Sequence, residues 1–295
     1  MIKFTVFGDL HYDEVSDGDK RVSELVEHIK ASKPDFVVSL GDLCRPMEKN
    51  KEMVLHKFRE TGIPMYHTIG NHETDTCYLE TALDFLSLQA PYYSFSYGDI
   101  KFIVLNSCYF SKDGHESAYY RRIYRENNSL YPIIPKAEKE WLERELSDGK
   151  KYVIFSHHSL VNNHRDRGIY NREEIRTLFR GKEVLLCMNG HDHGDEFAVV
   201  DDIPYYTVNS ATYMWCGSQI VSSERLKEKY GYLHGMLLYK QALYVDVEID
   251  DNEIRIQGMN GDYLSVTPED VELYDYRWNG VSIKAQTSSK VIKRV

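Results

Sequence analysis

The sequence predicts an α/β fold in which a sandwich of two β-sheets is flanked by α-helices, and two patterns support this prediction. Over roughly the first two thirds of the chain, apolar runs typical of buried strands alternate with apolar residues at helical spacing. Beyond Gly194 the pattern changes to short, closely spaced strands. Strand–helix repeats followed by hairpins indicate two packed sheets with helices outside them.

Strands and helices are predicted in alternation along the chain. Apolar runs predict strands at 2–7, 36–40, 65–69, 152–155 and 184–188, and a hairpin at 93–97 and 100–105. Apolar residues three and four apart predict helices around 22–29, 54–58, 79–86, 141–146 and 175–179. Pro34 ends the first of these helices, and Pro135 suits the first turn of the fourth. Later strands are expected at 196–200, 205–208, 235–239, 242–249 and 253–258.

Two stretches fit this scheme poorly. Residues 107–135 are rich in Tyr, Arg and Asn and contain two prolines, so we expect a long loop that forms a lid or insertion. Residues 259–295 lack strong periodicity and are expected to form a C-terminal extension, with one or two strands, that packs on the domain. The main domain is therefore predicted to span residues 1–258.

Composition and charge restrict the class of protein. Hydrophobic residues make up 42% of the 295 positions and charged residues 28%, as in an ordinary globular domain. The net charge of -10 disfavours general nucleic-acid binding, which needs a basic surface, but allows a small anionic substrate at a locally positive site. Neither a signal peptide nor an apolar window long enough for a membrane span is visible, so we expect no membrane partner. Five widely spaced cysteines favour reduced thiols and a cytoplasmic location, and the oligomeric state stays open.

Five short polar clusters follow predicted strands and carry most of the functional information. They are Asp9-Leu10-His11, Gly41-Asp42, Gly70-Asn71-His72, His157-His158 and Gly190-His191-Asp192-His193. Open α/β sheets place their sites at the carboxyl ends of strands, so these side chains are expected to meet. Imidazole together with carboxylate suits Mn, Fe or Zn rather than Ca, and the pattern predicts a site for two divalent metal ions.

Each cluster taken alone has an ordinary structural explanation. Gly41-Asp42 could be a turn, and Gly70-Asn71 could be a turn with a left-handed asparagine. His157-His158 could be one buried and one exposed histidine. The order of all five clusters, each directly after an apolar strand, is what favours the metal site over these alternatives.

The set D-x-H, G-D, G-N-H, a histidine-bearing strand end and G-H-x-H resembles the calcineurin-like metallophosphoesterase superfamily over residues 4 to about 193. The resemblance implies a β-sandwich flanked by helices and two metal ions. It implies that Asp9, His11 and His193 bind one ion, that Asn71, His157 and His191 bind the other, and that Asp42 bridges them. His72 matches the histidine beside the scissile phosphate.

The chain also departs from parts of the family pattern. Ser159 stands where many members have proline, a difference expected to affect only a loop. Arg45 occupies the position of the metal-binding tyrosine of purple acid phosphatases, so the chain resembles another branch and should show no iron–tyrosinate colour. Of the two adjacent histidines, His157 is the preferred ligand.

The predicted function is hydrolysis of phosphate esters, most consistent with a phosphodiesterase for a small or nucleotide-like substrate. A hydroxide shared by two metals would attack phosphorus in line, and His72 would protonate the leaving oxygen or hold the transition-state oxygen. His164, Arg165 and Arg167 are candidates for substrate binding, as are the arginines and tyrosines of residues 107–135. The alternatives are a phosphomonoesterase, a protein phosphatase, or a non-catalytic scaffold of the same fold.

Overall fold

The computed structural model describes residues 1–126, 130–162, 164 and 167–294. Its strands are β1 (Ile2–Phe7), β2 (Phe36–Ser39), β3 (Met65–His67), β4 (Tyr93–Tyr97), β5 (Ile100–Val104), β6 (Tyr109–Lys112), β7 (His115–Ala118), β8 (Lys151–Ser156), β9 (Glu183–Asn189), β10 (Glu196–Val200), β11 (Ile203–Thr207), β12 (Tyr213–Trp215), β13 (Met236–Leu238), β14 (Val245–Ile249), β15 (Glu253–Gln257), β16 (Arg277–Trp278), β17 (Val281–Ser282) and β18 (Lys290–Lys293). The helices are α1 (Gly18–Ser32), α2 (Glu48–Asn50), α3 (Lys57–Arg59), α4 (Leu79–Leu86), α5 (Ile123–Glu126), α6 (Lys136–Glu145), α7 (Arg172–Leu178), α8 (Gly217–Val221) and α9 (Glu224–Tyr230). A π-helical turn, Lys51–His56, joins α2 to α3.

Two six-stranded sheets organise the molecule. The first has the order β18-β15-β14-β1-β2-β3, and the second has the order β10-β11-β9-β8-β5-β4. In the first sheet β1, β2 and β3 are parallel, and in the second β5, β8, β9 and β11 are parallel. The carboxyl ends of the parallel strands therefore lie together at one edge of each sheet.

The two sheets pack face to face through an aromatic core. The ring of Phe4 stacks on Phe36 with centroids 4.9 Å apart, and it meets the ring of Phe155 edge-on at 6.0 Å. Helix α1 covers the outer face of the first sheet through Leu25 and Ile29 among others, and α6 and α7 cover the outer face of the second sheet. This arrangement confirms the predicted α/β sandwich, in which each layer buries its apolar face against the next.

The elements after Gly194 differ most from expectation. The predicted strands are present, but residues 217–230 also form two helices, α8 and α9, which apolar periodicity did not indicate. These helices, the β12–β13 pair and residues 263–285 share a separate hydrophobic cluster around Met214, Leu226 and Leu243. Strand β18 pairs with β15 and thereby completes the edge of the first sheet.

Residues 107–135, which we call the insertion, also contain regular structure. The sequence predicted a loop, whereas the described residues form the β6–β7 hairpin and the short helix α5. Tyr119 and Phe110 are buried there in a small cluster of their own. In the part of the chain that the structure describes, no helix is both long and apolar enough to cross a membrane.

Candidate metal centre and adjoining cavity

The carboxyl ends of five parallel strands converge on one polar site between the two sheets. Strands β1, β2 and β3 bring clusters from the first sheet, and β8 and β9 bring clusters from the second. Seven predicted side chains meet there and form what we call the cradle: Asp9, His11, Asp42, Asn71, His157, His191 and His193. All seven are buried or nearly so.

One half of the cradle consists of Asp9, His11 and His193. Their ligand atoms lie within 4.8 Å of one another. Nε2 of His11 is 3.2 Å from Nε2 of His193, and that atom of His193 lies 3.4 Å from Oδ1 of Asp9. This is the group that the motif pattern assigned to one metal.

The other half consists of Asn71, His157 and His191. Nε2 of His157 lies 3.1 Å from Oδ1 of Asn71 and 3.2 Å from Nδ1 of His191. Oδ2 of Asp42 stands between the halves, 3.6 Å from Nε2 of His11 and 3.4 Å from Nε2 of His157. A carboxylate in this position can reach an ion in either half.

The tautomers of two histidines show that the cradle suits cations. Nδ1 of His157 donates to the carbonyl oxygen of Leu40 at 2.7 Å, and Nδ1 of His193 donates to that of Tyr213 at 2.9 Å. A carbonyl oxygen can only accept, so both Nδ1 atoms carry a proton, and in its neutral form each ring directs the Nε2 lone pair into the cradle. The lone pair of His157 faces an amide oxygen and a carboxylate, which are also acceptors. A divalent cation would satisfy this set of converging acceptors, and the residues therefore fit a metal pair.

The backbone at the cradle is strained. Asp9, His11, Asp42, His191 and His193 all have positive φ angles, between 44° and 68°. A residue other than glycine held in a sparsely populated backbone region costs about 1–3 kcal/mol, and such residues cluster at functional sites. Surrounding hydrogen bonds hold this conformation: His11 N donates to the carbonyl of Asp42 at 2.9 Å, and His191 N donates to Oδ2 of Asp9 at 2.9 Å.

A buried glutamate that the sequence analysis did not select holds two of these loops together. Glu73 accepts from the backbone N–H groups of Asp42 at 2.9 Å, Leu43 at 2.6 Å and Gly70 at 2.7 Å. Burial first, and then the charge of Asp42, raise the pKa of Glu73 to about 7. Gly70 is required beside it because a Cβ atom there would stand 2.2 Å from Oδ1 of Asp42. The only sequence signal for this role was a carboxylate directly after Gly-Asn-His.

His72 lies at the edge of the cradle with carboxylates on its far side. Its Nε2 is 4.0 Å from Oδ2 of Asp42, and its Nδ1 is 3.0 Å from Oδ2 of Asp75 and 3.6 Å from Oε1 of Glu14. Within the described residues neither Nδ1 of His72 nor Oδ2 of Asp75 makes a hydrogen bond, so their contact is an ion pair. Burial alone would lower the pKa of His72, but Asp42, Asp75 and Glu14 together hold it well above its usual value. His72 is therefore suited to donate a proton at neutral pH.

A cavity of about 1030 Å³ opens directly onto the cradle. The insertion supplies one side of it, with Arg122, Tyr124 and Arg125 among the lining residues. Strands β12 and β13 and the turn that precedes β13 supply another side, through Trp215, His234 and Met236. Such a volume exceeds what one inorganic phosphate needs and lies at the upper limit of pockets for small molecules, about 1,000 Å³.

The three predicted substrate-binding residues have different positions. Arg167 lines the cavity, but its Nε donates to Oδ1 of Asp192 at 3.1 Å and its Nη2 donates to the carbonyl of His191 at 3.0 Å. His164 is tied to Asn162 through its backbone N–H and, within the described residues, is not among those lining the cavity. Arg165 lies outside the described residues.

The neighbour of the preferred ligand is also placed inside the protein. His158 is buried, and its Nδ1 lies 2.8 Å from Oγ of Ser107. Its ring centroid is 4.1 Å from that of His191, and it lines the cavity. Neither of the two adjacent histidines is exposed, so the alternative of one surface histidine is wrong.

Comparisons with known proteins support the same fold. The sequence model of the family described as calcineurin-like phosphoesterase matches residues 2–195. A dimetal phosphatase from Danio rerio is similar in structure, with a TM-score of 0.67 and 13% identity over 100% of this chain and 99% of that one. GAP50, described as the anchor in the inner membrane complex of Plasmodium, has a TM-score of 0.58 and 14% identity over 97% and 96% of the two chains. No curated protein sequence matches the chain.

Proposed function

Because the chain belongs to the calcineurin-like phosphoesterase family and is a phosphoric ester hydrolase, we propose that it is a phosphodiesterase acting on a small substrate at a two-metal centre. The observation that carries the proposal is the convergence of acceptor atoms in the cradle. Among the described residues, Asp9, His11 and His193 form one group of converging ligand atoms, and Asp9, Asp42 and His157 form another. The Nδ1–H groups of His157 and His193 donate to backbone carbonyls, which supports the proposal because it leaves Nε2 on the cradle side.

The residues of the cradle are assigned as the motif pattern suggests. Asp9, His11 and His193 would hold one ion, and Asn71, His157 and His191 the other, with Asp42 between them. A pair of divalent ions at such a site activates water and neutralises the charge of the phosphate oxygens. The ligand set suits Mn, Fe or Zn, and we propose Mn as the first metal to test.

His72 supplies the proton for the leaving group. It stands beside Asp42 at the mouth of the cradle, with Asp75 and Glu14 on the Nδ1 side of the ring, so Nε2 is on the side where the phosphate would bind. As the phosphorus–oxygen bond breaks, this N–H donates to the departing oxygen. Proton transfer by a positioned side chain typically contributes about 10²–10⁴-fold to the rate.

The shape of the cavity favours a diester over a monoester. Lining residues come from the insertion on one side and from the β12–β13 region on the other, so groups on both sides of one phosphate can be contacted. A monoester would leave one of these sides without a contact. We further propose a small phosphorylated ligand, rather than nucleic acid or a membrane, as the partner. A cytoplasmic location is proposed from the five free cysteines.

The test compares two chromogenic esters. Protein loaded with Mn²⁺ is assayed on bis(p-nitrophenyl) phosphate and on p-nitrophenyl phosphate, with Asp42→Asn as the inactive reference. Higher kcat/KM on the diester, lost in the variant, is the expected result. Preference for the monoester would replace the proposal by a phosphatase, and no turnover despite two bound ions would favour a scaffold.

A further inference from the structure

The insertion is joined to the proton-donating side of the site through one buried carboxylate. The side chain of Asp75 is fully buried, and its Oδ2 lies 3.0 Å from Nδ1 of His72 and 2.9 Å from Nε of Arg122. The hydroxyl of Tyr124 donates to the other oxygen of Asp75. Arg122 and His72 thus share a single carboxylate, which places this part of the insertion on the side from which the leaving group departs.

Two arginines of the insertion face the cavity together. Arg122 lies in the turn directly before α5, with a φ angle of 61°, and Arg125 lies in α5. The N–H of Arg125 donates to the carbonyl of Arg122 at 2.8 Å, which holds the two residues close together. Both residues line the cavity. The side chain of Arg122 is 40% exposed, and within the described residues its terminal amino groups make no hydrogen bond.

The charge of the other arginines in the cavity is already compensated. Arg45 pairs with Asp13 and Glu14, and Arg167 pairs with Asp192. The only acidic residues among those described as lining the cavity are Glu14 and Asp42, and Asp42 belongs to the cradle. Asp75 pairs with Arg122, and within the described residues Arg125 has no acidic partner. Together, Arg122, Arg125 and Asp75 therefore carry a net positive charge beside the leaving-group side.

We propose that Arg122 and Arg125 bind a second phosphate group carried by the leaving group, so that the substrate is a diphosphate diester. The inference rests on the proposed function, because it places the second phosphate relative to the phosphorus that is attacked. In the reaction, the oxygen of water bonds to that phosphorus and the bond to the bridging oxygen breaks. The diester carries two negative charges and the two fully ionised phosphate monoesters carry four, so two protons are released. Guanidinium groups match phosphate oxygens in geometry and charge, which makes arginine well suited to this task.

The experiment uses two substrates that share one nucleoside. The leaving group of thymidine 5′-diphosphoglucose carries a phosphate. The leaving group of the p-nitrophenyl ester of thymidine 5′-monophosphate carries no charge while it is attached. We expect Arg122→Gln and Arg125→Gln to lower kcat/KM for the diphosphate about 10- to 100-fold, the range of a lost charge-assisted hydrogen bond. The p-nitrophenyl ester should lose much less, so the ratio of the two values falls.

Arg121 provides a matched control within the same segment. Its guanidinium lies 5.0 Å from the ring centroid of Tyr78 and is not among the described residues that line the cavity. Arg121→Gln should leave the ratio unchanged. If Arg122→Gln and Arg125→Gln lower kcat/KM equally for both substrates, or do not lower it at all, the inference is overturned while the proposed phosphodiesterase stands.

A binding measurement separates this inference from the proposed function. Glucose 1-phosphate, the product that contains the leaving group, is titrated calorimetrically into the metal-loaded protein. Its Kd should rise about tenfold or more in Arg125→Gln and stay constant in Arg121→Gln. No hydrolysis of the p-nitrophenyl ester would overturn the proposed function, and the calorimetric result alone would then decide whether the arginines bind phosphate.

Discussion

The cradle and the cavity wall adjoin each other but are built in different ways. Cradle residues follow regular strands of the two central sheets and are fixed by backbone hydrogen bonds, such as that from His11 N to the carbonyl of Asp42. The wall comes from the insertion and from the β12–β13 region, which pack in small hydrophobic clusters of their own. We therefore expect the sheet edges to determine the reaction and the attached segments to determine the choice of substrate.

Removing the shared carboxylate should have the largest effect. Asp42→Asn weakens the group that lies 3.6 Å from Nε2 of His11 and 3.4 Å from Nε2 of His157, so both ions should bind less tightly. Loss of a group that only supports a metal ligand lowers metal affinity or activity about 10–100-fold. Because Asp42 itself is assigned as a ligand, we expect diester turnover to fall by more than about 100-fold. Metal content is measured by mass spectrometry, and diester turnover is measured by steady-state kinetics.

Asp192→Asn is the matched control for this change. Asp192 lies between two cradle histidines in the sequence, but its side chain accepts from Arg167 and Asn162. The Asp192→Asn variant should still bind two ions. If Asp42→Asn and Asp192→Asn lose the same amount of metal, the loss does not depend on the position of Asp42 between the two halves of the cradle.

His72→Gln tests the boundary between the two regions. The variant should lose about 100-fold in kcat on an alkyl diester, because an alkoxide needs a proton as it leaves. The loss on bis(p-nitrophenyl) phosphate should be smaller, since p-nitrophenolate departs unprotonated. An equal loss on both substrates, with metals retained, would show that His72 does not act as the proton donor.

A single methyl group at a cradle loop should loosen the cradle without deleting any ligand. A Cβ atom in Gly70→Ala would meet Oδ1 of Asp42 at 2.2 Å, so the loop must shift. We expect the free energy of unfolding to fall by about 1–3 kcal/mol, the usual cost of overpacking. Metal affinity should fall by about 10-fold, as for other changes that misplace a ligand.

Gly231→Ala serves as the reference for that substitution, because its nearest neighbour would be Cγ of Lys227 at 3.9 Å. Its free energy of unfolding should change by less than about 0.5 kcal/mol. Urea unfolding and metal titration compare the two variants. Similar stability and metal affinity in both would mean that the close approach of Gly70 to Asp42 has no energetic consequence.

A change on the wall should have the smallest effect and should alter KM. Trp215 lines the cavity and is 41% exposed. Trp215→Ala should raise KM for a diester by less than about 10-fold and leave kcat unchanged, the pattern of lost uniform binding. Tyr232→Ala, at a residue that is 67% exposed, is the control. A large fall in kcat for Trp215→Ala would show that the wall takes part in the chemistry.

The cradle could be predicted from the sequence because each of its residues follows an apolar strand by a few residues. Strand β1 ends at Phe7, two residues before Asp9, and β9 ends at Asn189, two residues before His191. Parallel strand ends meet at one edge, so local sequence was sufficient to bring these side chains together. The positive φ angles at Asp9 and His191 were not predicted, because they depend on hydrogen bonds between distant loops.

The wall could not be predicted because its position depends on contacts between distant residues. Asp75 and Tyr124 are 49 residues apart, and nothing near either residue in the sequence indicates the hydrogen bond between them. Helices α8 and α9 were missed for a similar reason, since their stability comes from packing in the cluster around Leu226 and not from a clear apolar stripe. Glu73 was missed because its three partners are backbone N–H groups.

The most direct test of the two-metal cradle is the number of ions bound per chain. Metal-free protein is titrated with Mn²⁺ by calorimetry, beside His11→Ala and Asn71→Ala, which each remove a ligand from one half of the cradle. We predict two ions for the unaltered chain and one strongly bound ion for each variant. One ion in the unaltered chain, or two in both variants, would contradict the assignment of these residues to two adjacent sites.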